Sequence, residues 1–460
     1  MAVPMDLDDR EHDDQVALIL AQDIDEESYL ATLQSVADRS REDLAIRSRI
    51  GRADVLEALV QRLGALPAAH YNLAYEQQTL RCIGNACAMN QDAIRTVSAL
   101  GMEWFTRYTM QACPQELQAL ASAVLYNITA ADFSVDGSDE EQENPAFKVC
   151  YAAGIHIWLV SRLVNPPVDP PAIEIVEGLI DMLFWISSSA TAATEHPLPA
   201  QTISQLCRSM QQYCPSSSAE TLSTLIESVI ALLRPAKAQL AAGTDSFGLF
   251  ELLASLDQRI AAARADQQES QADDLAVLVP QSSNLTWLLS DISTEPTFAV
   301  TSKLQDPLVR SCLLTFVQAS STTKSEQMQI ASSLVLGNAL LNMPESETVS
   351  LLRETTLASI VVDILSQPET SPDLLYAASG LLTMLCRPRE TREVIGRLER
   401  VVPVVEKLCK HQVPQIRDAG VRLLKALGRD SQLNQERLAA AVQAYGDAQS
   451  GQQQQIDAAP

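Results

Sequence analysis

A chain of 460 residues in which 47% of side chains are apolar can bury a large core, which excludes wholesale disorder. Aromatics at 5% are too thin for a β-rich fold, while the abundance of Leu, Ala, Gln, Glu and Ser is a helical composition. The balance of 33 basic against 58 acidic residues, a net charge of −25, argues against a general nucleic-acid binder and points to basic partners.

From the N-terminus, residues 1–40 carry eleven acidic and two basic side chains, with helical spacing at Val16, Ile19, Leu20 and at Tyr29, Leu30, Leu33. This predicts an acidic cap leading into helices. The first residues lack the apolar stretch of a signal peptide, and no long apolar run escapes interruption by charge. The most apolar segment, Ile175–Ser188, contains Glu177 and Asp181. A soluble protein of the cytoplasm, or also of the nucleus, is expected.

Residues 41–445 read as helix after helix. Apolar residues recur at i, i+3, i+4 and i+7 in Val55–Leu63, Leu117–Ile128, Ile173–Ile186, Leu222–Leu233, Gln329–Leu341, Leu374–Leu385 and Ile416–Leu427. Two breaks are expected. The loop 131–145 holds Asp132, Asp136, Asp139, Glu140, Glu141 and Glu143 with no base, and 165–171 contains four prolines. Residues 446–460, with the run Gln452–Gln455, read as a disordered tail. Charge is uneven along this body. Residues 1–299 sum to −24 and 300–460 to −1, and 387–429 holds eleven Arg/Lys against five Asp/Glu.

The repeats carry the fold prediction. Asn85, in Leu80-Arg-Cys-Ile-Gly-Asn-Ala-Cys-Ala-Met-Asn90, is followed 42 residues later by Asn127 in Ala121-Ser-Ala-Val-Leu-Tyr-Asn-Ile128. Near the other end, the segment of Asn338 aligns with that of Met384 at a spacing of 46 and again with that of Ala426 at 42. A helical unit of this length has an apolar face that it cannot bury alone, so neighbours must stack. The prediction is an all-α, armadillo/HEAT-like α-solenoid of roughly eight to nine helical repeats. Asn is a poor helix former, so its recurrence in one register needs a use. Either Asn85, Asn127 and Asn338, with Arg81, line a binding groove, or each amide bonds the neighbouring repeat.

Signs of catalysis are sparse. Neither GxxxxGK[ST] nor GxGxxG occurs, and no GxSxG elbow is present. His12, His70, His156, His196 and His411 are scattered without metal-ligand spacing. Nine cysteines, an odd number without CxxC, sit mostly in apolar helical stretches and read as buried reduced thiols. No catalytic residue, metal or cofactor is expected.

The segment Leu80–Arg95, with its Leu-Arg…Gly-Asn-Ala-Cys-Ala…Asn…Arg pattern, resembles the armadillo protein family of SmgGDS. Gln329–Asn338, Ser379–Arg392, Val402–Leu408 and Gln415–Arg417 are similar in kind to that family's later repeats. Met384 and Ala426 stand where the family often has Asn. The ataxin-10 family of armadillo-like scaffolds has a related Arg-Asn-Ala-Cys…Asn-Gln…Ile-Arg segment and is the alternative. Resemblance to SmgGDS implies a non-enzymatic guanine nucleotide exchange factor and chaperone. Its partners would be small Rho- and Ras-type GTPases with a Lys/Arg-rich, prenylated C-terminus. An electronegative patch would receive the basic stretch, with Asp136, Asp139, Glu140, Glu141 and Glu143 as candidates. A karyopherin-type carrier would instead need its asparagine ladder partnered by tryptophans one turn apart, and Trp104, Trp158, Trp185 and Trp287 follow no such period.

Overall fold

A computed structural model describes residues 7–439 apart from 22–23, 68–69, 132, 134–142, 166–172, 188–197, 200–201, 204, 207–209, 211–212, 216, 243–245, 266–269, 302–305 and 319–324. The chain divides into two compact units, one of residues 1–209 with 221–235, the other of 210–220 with 236–460. Among the described residues every regular element is a helix.

In the first unit, helices α1 (Leu7–Leu20), α2 (Glu26–Ser40), α3 (Leu44–Ile50), α4 (Ala53–Gly64), α5 (Leu73–Cys87) and α6 (Gln91–Ala99) precede a 3₁₀ helix at Glu103–Thr109. They are followed by α7 (Gln115–Thr129), α8 (Ala146–Ala152), α9 (Ile155–Val164), α10 (Ile173–Ser187) and α11 (Ala219–Leu233). The starts are chemically marked. Asp25 accepts from the Ser28 amide, Asp43 from Ala45 and Ile46, Asn72 from Tyr75, and Asn90 from Ala93. Each thereby satisfies an amide that has no intrahelical partner. Gly154, at φ 74°, makes the sharp turn between α8 and α9 that a side-chain-bearing residue enters only with strain.

Helices α2, α5, α7 and α10 pack each on the next and form a ladder, with the shorter helices behind them. Side chains such as Leu33, Leu80, Ile83, Leu125 and Leu183 are fully withdrawn from solvent between the rungs. Close approach is possible because Gly84 lies where α5 meets α7; a Cβ there would stand 3.0 Å from Val124 Cγ2. Behind this ladder, Arg107 of the 3₁₀ helix and Glu76 of α5 form an ion pair at 3.1 Å, 7% and 0% exposed. Arg107 also donates to the carbonyls of Leu63, Leu66 and His70, closing the C-terminal end of α4.

The second unit repeats the plan. Helices α12 (Lys237–Ala242), α13 (Ser246–Ala265), α14 (Ser270–Thr294), α15 (Pro296–Thr301) and α16 (Pro307–Gln318) lead to α17 (Glu326–Asn342), α18 (Glu345–Glu354) and α19 (Leu357–Ser366). Then come α20 (Pro372–Leu385), α21 (Arg389–Gly396), α22 (Val401–Cys409) and α23 (Pro414–Gly428), with a last helical segment at 432–439. Here α14, α17, α20 and α23 form the ladder. An all-α solenoid is therefore present, and every periodic segment read from the sequence lies inside a helix.

Details depart from the linear reading. The expected N-terminal cap already contains the first rung, α2. The Pro-rich break, most of the acidic loop and the Gln-rich tail lie outside the described residues.

Candidate protein-binding surface

The recurrent asparagines sit near the C-terminal ends of their rungs, and each is half-buried. Asn85 Nδ2 donates to the Ala37 carbonyl at 3.0 Å and to Ser40 Oγ at 2.9 Å, both in the last turn of α2. Asn127 Nδ2 donates to the Gly84 carbonyl in the last turn of α5, at 3.0 Å. Asn338 Nδ2 donates to Ser293 Oγ near the end of α14, at 2.8 Å. Carbonyls run short of donors at a helix end, and two of these amides add one from the following repeat, beside the Ala88 amide on the Gly84 carbonyl and the Ser40 hydroxyl on that of Ala37. Arg387, just past the end of α20, does the same, donating to the carbonyls of Leu340 and Leu341 at the end of α17. Asn434, which the register argument misses, donates to the carbonyls of Leu427 and Arg392. Arg81 also reaches back one rung, to Asp38 at 2.5 Å, and donates to Gln78. The donor half of the amide register thus joins repeat to repeat.

Of the acidic candidates, Glu143 is exposed at the approach to α8. Asp136, Asp139, Glu140 and Glu141 lie outside the described residues.

A second group of residues comes together on the α7–α10 rungs. Tyr126 is 39% exposed, and its ring meets that of Trp185 edge-on, centroids 5.5 Å apart. The same Tyr126 ring lies near Gly178, 4.0 Å from where a Cβ would stand. On α10, Glu177, Asp181 and Trp185 follow at i, i+4 and i+8, so they share one face. Burial raises the Asp181 pKa above the ordinary carboxylate value, and the like charge of Glu177 adds to it. Glu177 itself accepts from Thr221 Oγ1 at 3.2 Å. Two carboxylates beside two aromatic rings make a surface that attracts a cation through charge and through the ring faces. The sequence held one signal for this site: acids spaced i, i+4 that interrupt the most apolar helix. Its partner Tyr126 lies in another repeat and had none.

Met89 is 96% exposed and adopts φ 58° just beyond α5, a left-handed conformation that glycine takes more cheaply. A large apolar side chain is thus held in solvent at a strained position.

Among the described residues no group of His, Cys, Asp and Glu is placed to hold a metal ion. The eight described cysteines are buried and unlinked. Burial pushes the thiols of Cys82, Cys87 and Cys386 up to about 12, so they are poor nucleophiles. No single described helix is long and apolar enough to cross a membrane; α8 and α9 together have the length but are bent by 75°.

Stacked helical repeats of this kind present an extended face, the form of surface on which protein segments are received in repeat proteins. No family model and no curated protein matches the chain. Among solved structures it is similar to an engineered protein at 15% identity and a TM-score of 0.39, over 90% of this chain and 98% of that one. It is also similar to a designed armadillo repeat protein at 15% identity and a TM-score of 0.38, over 58% of this chain and 98% of that one. A further designed armadillo repeat protein, solved in complex with the peptide (KR)4, aligns at 14% identity and a TM-score of 0.38, over 59% and 99%.

Proposed function

We propose that this protein binds small GTPases that end in a Lys/Arg-rich segment, and that it promotes their release of GDP. The observation that carries the reading is the carboxylate–aromatic surface of Tyr126, Glu177, Asp181 and Trp185 in a unit rich in acidic residues. A lysine or arginine of the partner's tail would settle against the two rings while relieving the repulsion between Glu177 and Asp181. Met89 and the oxygen atoms of Asn85 and Asn127 would extend the contact along the ladder, since the amide nitrogens of both are engaged with the preceding repeat. Exchange needs no covalent step. A solenoid that prefers the nucleotide-free GTPase lowers GDP affinity by the same factor, because coupling is reciprocal.

The test is a pull-down of GDP-loaded and nucleotide-stripped GTPases, run beside release of a fluorescent GDP analogue. Tail-dependent capture that favours the stripped form, lost in Trp185→Ala with Asp181→Lys, is the expected outcome. Capture blind to nucleotide state would mean a scaffold, as the ataxin-10 resemblance implies. Absence of capture would end the GTPase reading.

A further inference from the structure

The ladder face of the second unit has the opposite chemistry. On α20, Tyr376, Gly380 and Met384 share one face, with Arg387 two residues past its end; on α23, Arg422 and Lys425 share the corresponding one, with Arg429 just past its end. The repeat alignment places Leu334, Gly380 and Arg422 in one row across α17, α20 and α23, and Leu341, Arg387 and Arg429 in another. Geometry joins the rows. The Arg422 guanidinium lies 5.9 Å from the Tyr376 ring centroid, and Arg387 donates to the carbonyls of Leu340 and Leu341. Tyr376 is 41% and Leu341 51% exposed, and Arg387, Arg422, Lys425 and Arg429 are all exposed.

Several other basic residues of this unit are paired with neighbouring carboxylates. Arg353 pairs with Glu390, Arg389 with Glu393, Arg400 with Asp363 and Lys410 with Glu406. Arg422 and Lys425 form no ion pair among the described residues. Complementing the helix dipole would place cations in the last turn, which suits Lys425. Arg422 lies further back, over an aromatic ring, where that benefit has faded. Asp373 and Asp418, exposed nearer the helix starts, leave the basic character over the C-terminal halves.

We infer that this face is a second docking surface, which takes an acidic protein segment carrying apolar side chains. Carboxylates of the segment pair with Arg422 and Lys425, and its apolar residues lie on Tyr376, Met384 and Leu341. Charge complementarity selects this occupant: Arg422, over the Tyr376 ring, and Lys425, one turn on, are exposed and form no ion pair among the described residues, in a protein whose net charge is −25. The inference does not rest on the GTPase reading.

The test uses the full chain and a fluorescein-labelled peptide of alternating glutamate and leucine with one phenylalanine, followed by anisotropy. Arg422→Glu with Lys425→Glu is expected to weaken binding about tenfold or more, as charge reversal at a docking face does. Tyr376→Ala should weaken it as well. Arg353→Glu with Arg400→Glu, which reverses paired cations elsewhere in the unit, should leave it unchanged. Binding of a lysine-rich peptide should survive the Arg422/Lys425 reversal, which separates this surface from the acidic one. Equal losses in both double variants, no peptide binding at all, or preferential binding of a short single-stranded oligonucleotide would each overturn the inference.

Discussion

Asn127 shows how one amide serves two repeats. Its nitrogen caps a carbonyl at the end of α5 while its backbone continues α7. Replacing it with alanine gains a few tenths of a kcal/mol of helix propensity but removes this hydrogen bond between repeats, a net loss of up to about 1 kcal/mol, because the Gly84 carbonyl keeps the Ala88 amide. Urea unfolding of Asn85→Ala and Asn127→Ala should show that loss, and a gain in either would mean that the amide is not structural. Asp181 behaves in the contrary sense. Its folded pKa is raised, so the native state binds its proton more tightly than the unfolded chain, and its contribution to stability falls as pH rises through that window. Asp181→Asn should therefore stabilise the protein at neutral pH, and the gain should vanish once the pH drops below the ordinary value of 3.8. Thermal melts at several pH values check this, and an advantage that persists in acid would remove the electrostatic explanation. Binding a basic segment at Asp181 should release a proton near its raised pKa, which calorimetry in buffers of different ionisation enthalpy would detect.

At the scale of the helix, two glycines in equivalent elements make opposite predictions. Gly84 sits where α5 touches α7, and a methyl group there meets Val124 at 3.0 Å. Gly84→Ala should push the rungs apart and destabilise by about 1–3 kcal/mol, as overpacking does. Gly380 on α20 is exposed and nothing lies within 4 Å of its would-be Cβ. Gly380→Ala should stabilise by about 0.5–1 kcal/mol through helix propensity and a less flexible unfolded chain. Denaturant midpoints of the two variants decide, and a shift of the same sign in both would refute the packing argument. The helices themselves were legible in the sequence. Periodic apolar residues located α4, α7, α10, α11, α17, α20 and α23, because a rung must turn one stripe toward its neighbours. The caps at Asn72 and Asn90 also follow local rules. The pair of Glu76 and Arg107 was not legible, since the two are 31 residues apart and only the close of α4 onto the next repeat brings them together.

At the scale of the molecule, net charge should govern association. Affinity for a lysine-rich peptide should fall as ionic strength rises, since exposed carboxylates are screened over a Debye length of about 8 Å at physiological salt. Anisotropy at low and high salt tests this, and constant affinity would leave the acidity as a device for solubility alone. The acidic-peptide surface on α20 and α23 should show the same salt trend with the opposite peptide, so one protein preparation serves both measurements.

Composition, the apolar period and the 42- to 46-residue repeat were enough to determine a stacked helical chain. Those signals are local or strictly periodic, and a repeat that cannot bury its own face has few alternatives to stacking. Tertiary structure decided which side chains meet across repeats. The asparagine register proved to supply donors to the preceding rung, and Tyr126 met Trp185 of the next rung. It also separated the basic residues that are paired from Arg422 and Lys425. Those outcomes depend on the offset between neighbouring rungs, which is set by packing volume at positions such as Gly84 and Gly178 and has no signature within a single repeat.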